Sequence, residues 1–252
     1  MIIKSDEELK GMQLVSKAVA ETLQKMQAYA QIGMNTKEID EYGQQLLEGL
    51  GARSAPFETY GFPGYTCISV NKVFAHGIPS PEVILQHGDI INIDVSAELN
   101  GYWSDNGCSF IMGEDTQNLQ RLVDTSRTAL LDAISQISGG VKIADIGKLI
   151  ETHAKKGGFT VIRDLGGHGI GRSLHEQPDA LMSYYDRHDS RRFRKDSVVA
   201  IETFISTQSS FIEKMGDGWS LVGNKGGFMA QHEHTILITG GKPVVLTEGN
   251  GV

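Results

Sequence analysis

The sequence predicts an α/β (α+β) fold whose two similarly ordered halves face each other across a cleft. Three observations carry this: two amphipathic helical patterns open the chain, a β-rich segment turns back on itself at Asn100-Gly101, and the same succession recurs further on. With 252 residues, 40% hydrophobic and 21% charged, the chain can bury a sizeable core. One domain over 1–252 is expected, with pseudo-repeats of about 1–115 and 116–252.

Ser5 followed by Glu8 is a capping-box pair. Leu9, Met12, Val15, Val19, Leu23 and Met26 then recur at helical spacing, so a long amphipathic helix opens the chain and Gly33 ends it. A second helix is expected from about Thr36 to Leu50, with Ile39, Leu46, Leu47 and Leu50 on one side and Gly51 closing it. From Asp89 the run Asp-Ile-Ile-Asn-Ile-Asp-Val is β-rich, and Asn100-Gly101 offers the two positive-φ positions of a type I′ turn. Tyr102 to Met112 is then the returning strand. Helical patterns return over Thr116–Ile137 and Ile143–Lys156, and strands are expected over Phe159–Leu165, Ser197–Phe204 and Glu233–Thr239.

The halves echo one another. Gly33 to Asp40 introduces a helix as Gly140 to Gly147 does, and the apolar strand ending in Asp94 has a counterpart ending in Glu202 at nearly the same offset. A later strand carboxylate follows in each, Asp105 and Glu233.

A net charge of −8 excludes an extended phosphate-binding surface, so no nucleic acid is expected as a partner. The basic run Arg191 to Lys195 reads as a solvated loop or helix edge rather than a docking patch. Two cysteines, Cys67 and Cys108, form neither a disulfide framework nor a thiolate zinc motif, which points to a reducing compartment. Acidic residues interrupt the N-terminus before any signal-peptide core forms, and no stretch approaches the ~18 apolar residues of a membrane span. A cytoplasmic protein is expected, and a monomer, because no zipper or apolar stripe runs along the surface.

With Asn100 and Gly101 as loop residues, Asp94 faces Gly107, and Asp105 lies diagonally from Asp94 on the same face. Diagonal neighbours sit ~7–8 Å apart at the backbone, so two side chains can converge on one ion or on a pair ~3.5–4 Å apart. Like charges so placed repel unless a cation or proton intervenes. An exposed hairpin with two solvated aspartates is the alternative, against which Ile93, Val95, Trp103 and Cys108 indicate a covered sheet. In the second half the run from Gly166 to Pro178 sets His168 among glycines, with His175 further on, and lacks the lysine of a phosphate-binding loop. Glu202 ends an apolar strand, where an ionised carboxylate is costly unless paired or metal-bound, and Glu233 stands between His232 and His234 at the head of another. Four carboxylates and an imidazole form a hard, oxygen-rich donor set suited to Mn²⁺, Fe²⁺, Co²⁺ or Zn²⁺.

The run Cys67 to Pro79, the hairpin with Asp94 and Asp105, the segment His168 to Pro178, Ile201-Glu202 and Gln231 to Thr235 together resemble the type I methionine aminopeptidases, from about Ser5 to Thr239. The resemblance implies the pita-bread fold, a central antiparallel sheet covered by helices. It also implies one or two divalent ions (Co, Mn, Fe, Zn or Ni) held by Asp94, Asp105, His168, Glu202 and Glu233. In that scheme Asp105 and Glu233 bridge two positions, Asp94 completes one, and His168 with Glu202 completes the other. Glu202 is then the general base, His175 stabilises the oxyanion, and His76 hydrogen-bonds the peptide or leaving nitrogen. Phe62, Cys67 and Trp219 match the methionine pocket. The implied activity is removal of the initiator methionine from nascent polypeptide N-termini, with a small second residue preferred and a ribosome contact left open. Thr59 departs from an aromatic usual in many bacterial relatives, and Thr203 from a proline. Related peptidases that act on proline bonds generally carry a further N-terminal domain, which is not expected here, and catalytically silent relatives typically lose ligands that this sequence keeps.

Overall fold

The computed structural model describes residues 1–252. Helix α1 (Asp6–Tyr29) starts where Ser5 accepts a hydrogen bond from the Glu8 amide at 3.2 Å. The Glu8 carboxylate reaches one residue further back than a standard capping box and accepts from the Lys4 amide at 2.7 Å. Met12, Val15, Val19, Leu23 and Met26 form its buried stripe. A Cβ on Gly11 would lie 2.2 Å from the Tyr102 ring, so this glycine is what lets the helix seat closely on the sheet. The helix stops at Tyr29, and Gly33 (φ 91°) serves the turn into α2 (Thr36–Gly49) rather than the helix end itself. Asn35 and Glu38 cap α2 reciprocally.

Next come β1 (Arg53–Ser54), α3 (Ala55–Tyr60), β2 (Cys67–Val70) and β3 (Val73–Ala75), then the long hairpin β4 (Ile90–Leu99) and β5 (Tyr102–Ile111). Its register places Asp94 opposite Gly107 and Asp105 opposite Ser96, as predicted, with Asn100 (φ 55°) and Gly101 (φ 79°) in the turn. Helix α4 (Gln120–Gln136) begins later than Thr116, because the Asp115 carboxylate takes up the Leu119 and Gln120 amides, each at 2.8 Å, and so fixes the start. Helix α5 (Ile143–Lys156) has the predicted bounds.

The remaining strands are β6 (Thr160–Val161), β7 (Gly166–Gly169), β8 (Glu176–Met182), β9 (Val198–Ser206), β10 (Ile212–Lys214), β11 (Leu221–Gly223), β12 (Met229–Leu237) and β13 (Val244–Val245). The strand expected over Phe159–Leu165 shrinks to β6, since Arg163 turns its amide to the Ser210 carbonyl and leaves β9. Glu202 and Glu233 are not at strand ends as expected. The β9–β12 ladder runs unbroken from Met229–Ser206 to Leu237–Val198, and a charged side chain does not interrupt a backbone ladder when its face is accommodated.

The main sheet has the order β1-β4-β5-β12-β9-β7-β8, with β2 on β4, β6 on β9 and β13 on β12; β10, β11 and β3 form a small second sheet. Helix α1 covers β4 and β5 with α2 packed on α1, β1 and β2, while α4 covers β9 and β12 with α5 packed on α4, β6 and β8. Strand alternation sorts the side chains: Ile91, Ile93, Val95, Val199, Ile201 and Ile236 enter the cores beneath the helices, and Asn92, Asp94, Glu202, Gln231 and Glu233 point to the other face. The basic run lies in the loop before β9, where Arg191 pairs with Asp189 at 2.8 Å and Phe193 is buried. No helix is long and apolar enough to cross a membrane.

Candidate metal centre and active site

Asp94 and Asp105 come from the β4–β5 hairpin, and Glu202 and Glu233 face each other directly across β9 and β12. Directly opposed like charges are unfavourable, and the Gln231 amide lies between them, donating to Glu233 at 2.9 Å and to Glu202 at 3.3 Å. Its oxygen accepts from Asn92 at 2.7 Å, which orients the amide. A Cβ on Gly107 would lie 2.4 Å from that oxygen, so the residue opposite Asp94 has to be small. Where β5 meets β12, the Thr235 hydroxyl accepts from the Asp105 amide at 3.1 Å and donates to its carbonyl at 2.8 Å, closing the seam beside the acidic face.

Burial raises all four carboxyls: Asp94 to about 6 and Glu202 to about 8, the latter also by the Asp94 charge. Asp105 and Glu233 lie well above the usual carboxylate range, through burial first and then the charges of the other acids. Asp105 Oδ1 and Glu233 Oε1 are buried without any hydrogen-bond partner. Unpartnered acceptors on repelling carboxylates are what a bound cation would satisfy, so the donor set fits divalent metal.

His168 supplies the imidazole. A Cβ on Gly167 would lie 2.3 Å from the Ala200 carbonyl, so only glycine lets β7 approach β9 this closely. His168 Nδ1 meets the Gly169 carbonyl at 3.0 Å, which fixes the proton there and leaves Nε2 free, 3.8 Å from Asp105 Oδ2. Burial lowers its pKa to about 4, so the ring is neutral and able to ligate. Ligand atoms of Asp105, His168 and Glu233 lie within 4.8 Å of one another. His232 and His234, flanking Glu233, point to the opposite face, where Nδ1 of each meets the Ser126 or Thr247 hydroxyl at 2.9 Å. Thr203 joins the former group through a 2.7 Å bond to Ser126, so the position where proline is usual carries a buried hydroxyl on a regular strand.

All ten residues singled out in sequence line one cavity of about 410 Å³: Phe62, Cys67, His76, Asp94, Asp105, His168, His175, Glu202, Trp219 and Glu233. Phe62 and Trp219 meet edge to face, 5.3 Å between centroids. Cys67 pairs with Asp94 in register, and burial raises its thiol well above the usual value, so it stays neutral. His76 has φ 53°, a strained backbone conformation of the kind that clusters at functional sites, and burial lowers its pKa, as it does for His175. Thr59 does not line the cavity, but Tyr60 beside it does, and its hydroxyl lies 2.7 Å from His175 Nδ1. Sequence reasoning missed Tyr60, Asn92, Gln231 and Lys214, all of which line the cavity. The strand period points to Asn92 and Gln231, each two residues before a named carboxylate.

A family model for the metallopeptidase family M24 matches residues 10–240. The chain belongs to metallopeptidase family M24. Methionine aminopeptidase 2 of Bacillus subtilis (strain 168) is 44% identical to this M24 chain over 248 residues, covering 98% of it and 100% of that protein. The crystal structure of methionine aminopeptidase from Thermotoga maritima superposes with a TM-score of 0.92 at 34% identity, covering 98% of this chain and 99% of that one. Prolidase from Pyrococcus furiosus shares the fold alone, at TM-score 0.78 and 21% identity, with 98% of this chain matched to 65% of that one. The resemblance and the pita-bread fold it implied are both borne out.

Proposed function

We propose that this M24 peptidase is a metal-dependent methionyl aminopeptidase that removes the initiator methionine from nascent proteins and peptides, preferring a small second residue. The observation that carries the reading is the acidic, imidazole-bearing floor of a cavity walled by Phe62, Cys67 and Trp219. Asp94, Asp105, His168, Glu202 and Glu233 would hold one or two divalent ions, with Co, Mn, Fe, Zn and Ni all suited to the donors. Such ions, when bound, acidify water and polarise a carbonyl.

The chain's own residues do the rest. Glu202 takes the proton of the attacking water and returns it to the leaving amine. His175 donates to the developing oxyanion, and His76 hydrogen-bonds the peptide or leaving nitrogen. The acidic floor draws the substrate's free α-amine inward. The apolar wall, with a neutral thiol beside aromatic edges, accepts an unbranched thioether. The domain acts as one catalytic unit of two pseudo-repeats, a cytoplasmic monomer acting on the N-termini of nascent chains.

The test is turnover of Met-Ala-Ser against Pro-containing peptides, with and without added Mn²⁺ or Co²⁺. Release of methionine only with metal supports the reading; no release, or preferential cleavage at proline bonds, overturns it. Within this scheme His175→Ala lowers kcat by about 10²–10³-fold with metal content per chain kept, as elemental analysis reads it. Unchanged turnover refutes the role of His175.

A further inference from the structure

We propose that Tyr60 is the positioning residue for His175: its hydroxyl donates to Nδ1 and holds the ring in the tautomer that presents Nε2–H to the cavity. The proposal rests on the reading of His175 as oxyanion donor given above. A neutral imidazole has one donor nitrogen and one acceptor, and the bond made by one nitrogen decides what the other can do. With Tyr60 as donor, Nε2 carries hydrogen and can meet a developing negative charge. With Tyr60 as acceptor, a bare lone pair would face the substrate carbonyl, repelling the oxyanion and competing with His168 for metal. Only the first arrangement leaves His175 useful to an acyl-transfer step.

The geometry favours a built contact. Tyr60 Oη and His175 Nδ1 are 2.7 Å apart, although the residues come from opposite halves of the chain. Tyr60 ends α3, and Gly61 directly behind it adopts φ 66° as the left-handed cap, its amide bonded to the Phe57 carbonyl, which fixes where the tyrosine leaves the helix. On the other side the Ser173 hydroxyl donates to the His175 carbonyl at 2.9 Å, tying down the backbone just before β8. The His175 ring lies 4.2 Å from the His168 ring between centroids, tilted by 44°, so Tyr60 and His168 together bracket the imidazole. Burial first, and then the Asp105 charge, push the Tyr60 hydroxyl up, so it keeps the proton that it donates. His168 is set in the complementary way: its Nδ1 proton goes to the Gly169 carbonyl and its Nε2 stays bare. Adjacent histidines are thus sorted by what touches Nδ1, a carbonyl making one a ligand and a hydroxyl making the other a donor.

Tyr60→Phe keeps the ring and removes the hydroxyl. In the Zn²⁺-loaded protein, long-range ¹H–¹⁵N spectra read the His175 tautomer, its signals assigned by their loss in His175→Ala. The expected wild-type pattern is Nε2–H with bare Nδ1, and a mixed population in Tyr60→Phe. Loss of such an outer contact is expected to lower kcat by about 10–100-fold, with metal content unchanged. KM for Met-Ala-Ser is expected to stay within about twofold, and the Tyr60→Phe effect to vanish in a His175→Ala background. An Nδ1–H tautomer in the wild type, a population unmoved by the substitution, or an undiminished kcat overturns the proposal. Should the wild type release no methionine, the functional reading fails separately, while the tautomer spectra still decide the role of Tyr60.

Discussion

Replacing Glu202 by glutamine is expected to lower turnover of Met-Ala-Ser by about 10²–10⁴-fold at saturating metal, the range for loss of a positioned general base. The same substitution is expected to raise the melting temperature of the chelated protein. Glu202 is buried on a strand face directly opposite Glu233, and burial with the Asp94 charge holds its carboxyl at about 8. Without metal, keeping that group in the fold costs on the order of a few kcal/mol near neutral pH, because the unfolded chain would ionise it freely. Glutamine removes the cost and the function together. Paired kinetics and thermal melts in chelator test this; a variant both active and unstabilised contradicts it.

The chelated wild type is expected to lose stability as pH rises from about 5 to about 8. The sign follows from linkage. A carboxyl whose folded pKa is raised binds its proton more tightly in the native state, so the native state carries more protons than the unfolded one and stability falls with increasing pH. For Asp94 the window runs from 3.8 to about 6, and for Glu202 from 4.5 to about 8. Asp105, raised by burial and by the Asp94 and Glu202 charges, and Glu233, raised by burial and by the Asp105, Glu202 and Asp94 charges, add to the loss in the same direction. The summed effect is on the order of several kcal/mol. Added divalent metal should restore stability most strongly at the alkaline end, where all four carboxylates would otherwise be ionised together. Urea unfolding across this range, with chelator and with Mn²⁺, reads the two curves; parallel curves would contradict the account.

Much of this site was legible in the sequence because strand periodicity carries it. Asn100-Gly101 fixed the hairpin register, and the register alone put Asp94 and Asp105 on one face. The unbroken apolar spacing of α5 predicts its bounds, whereas the spacing of α4 predicts too early a start because the Asp115 carboxylate, not the periodicity, fixes its first turn. A charge inside an apolar run reads as a boundary, which predicts Glu202 and Glu233 at strand ends; the structure shows a continuous ladder with both charges turned to the cavity. Tyr60 left no such signal. It lies on the short helix α3, and its contact with His175 depends on tertiary closure between the halves, which no local pattern encodes. The same holds for Gln231 between the two glutamates, although its place two residues before Glu233 gave a usable hint.

The most direct test of the central claim, that the four carboxylates and His168 hold divalent metal at the cavity floor, is anomalous diffraction from crystals soaked in Zn²⁺. The account predicts anomalous density about 2.0–2.2 Å from His168 Nε2 and from carboxylate oxygens of Asp105 and Glu233. A cavity that stays empty while Zn²⁺ binds elsewhere, or density held by His168 Nδ1 with the carboxylates turned away, would contradict it.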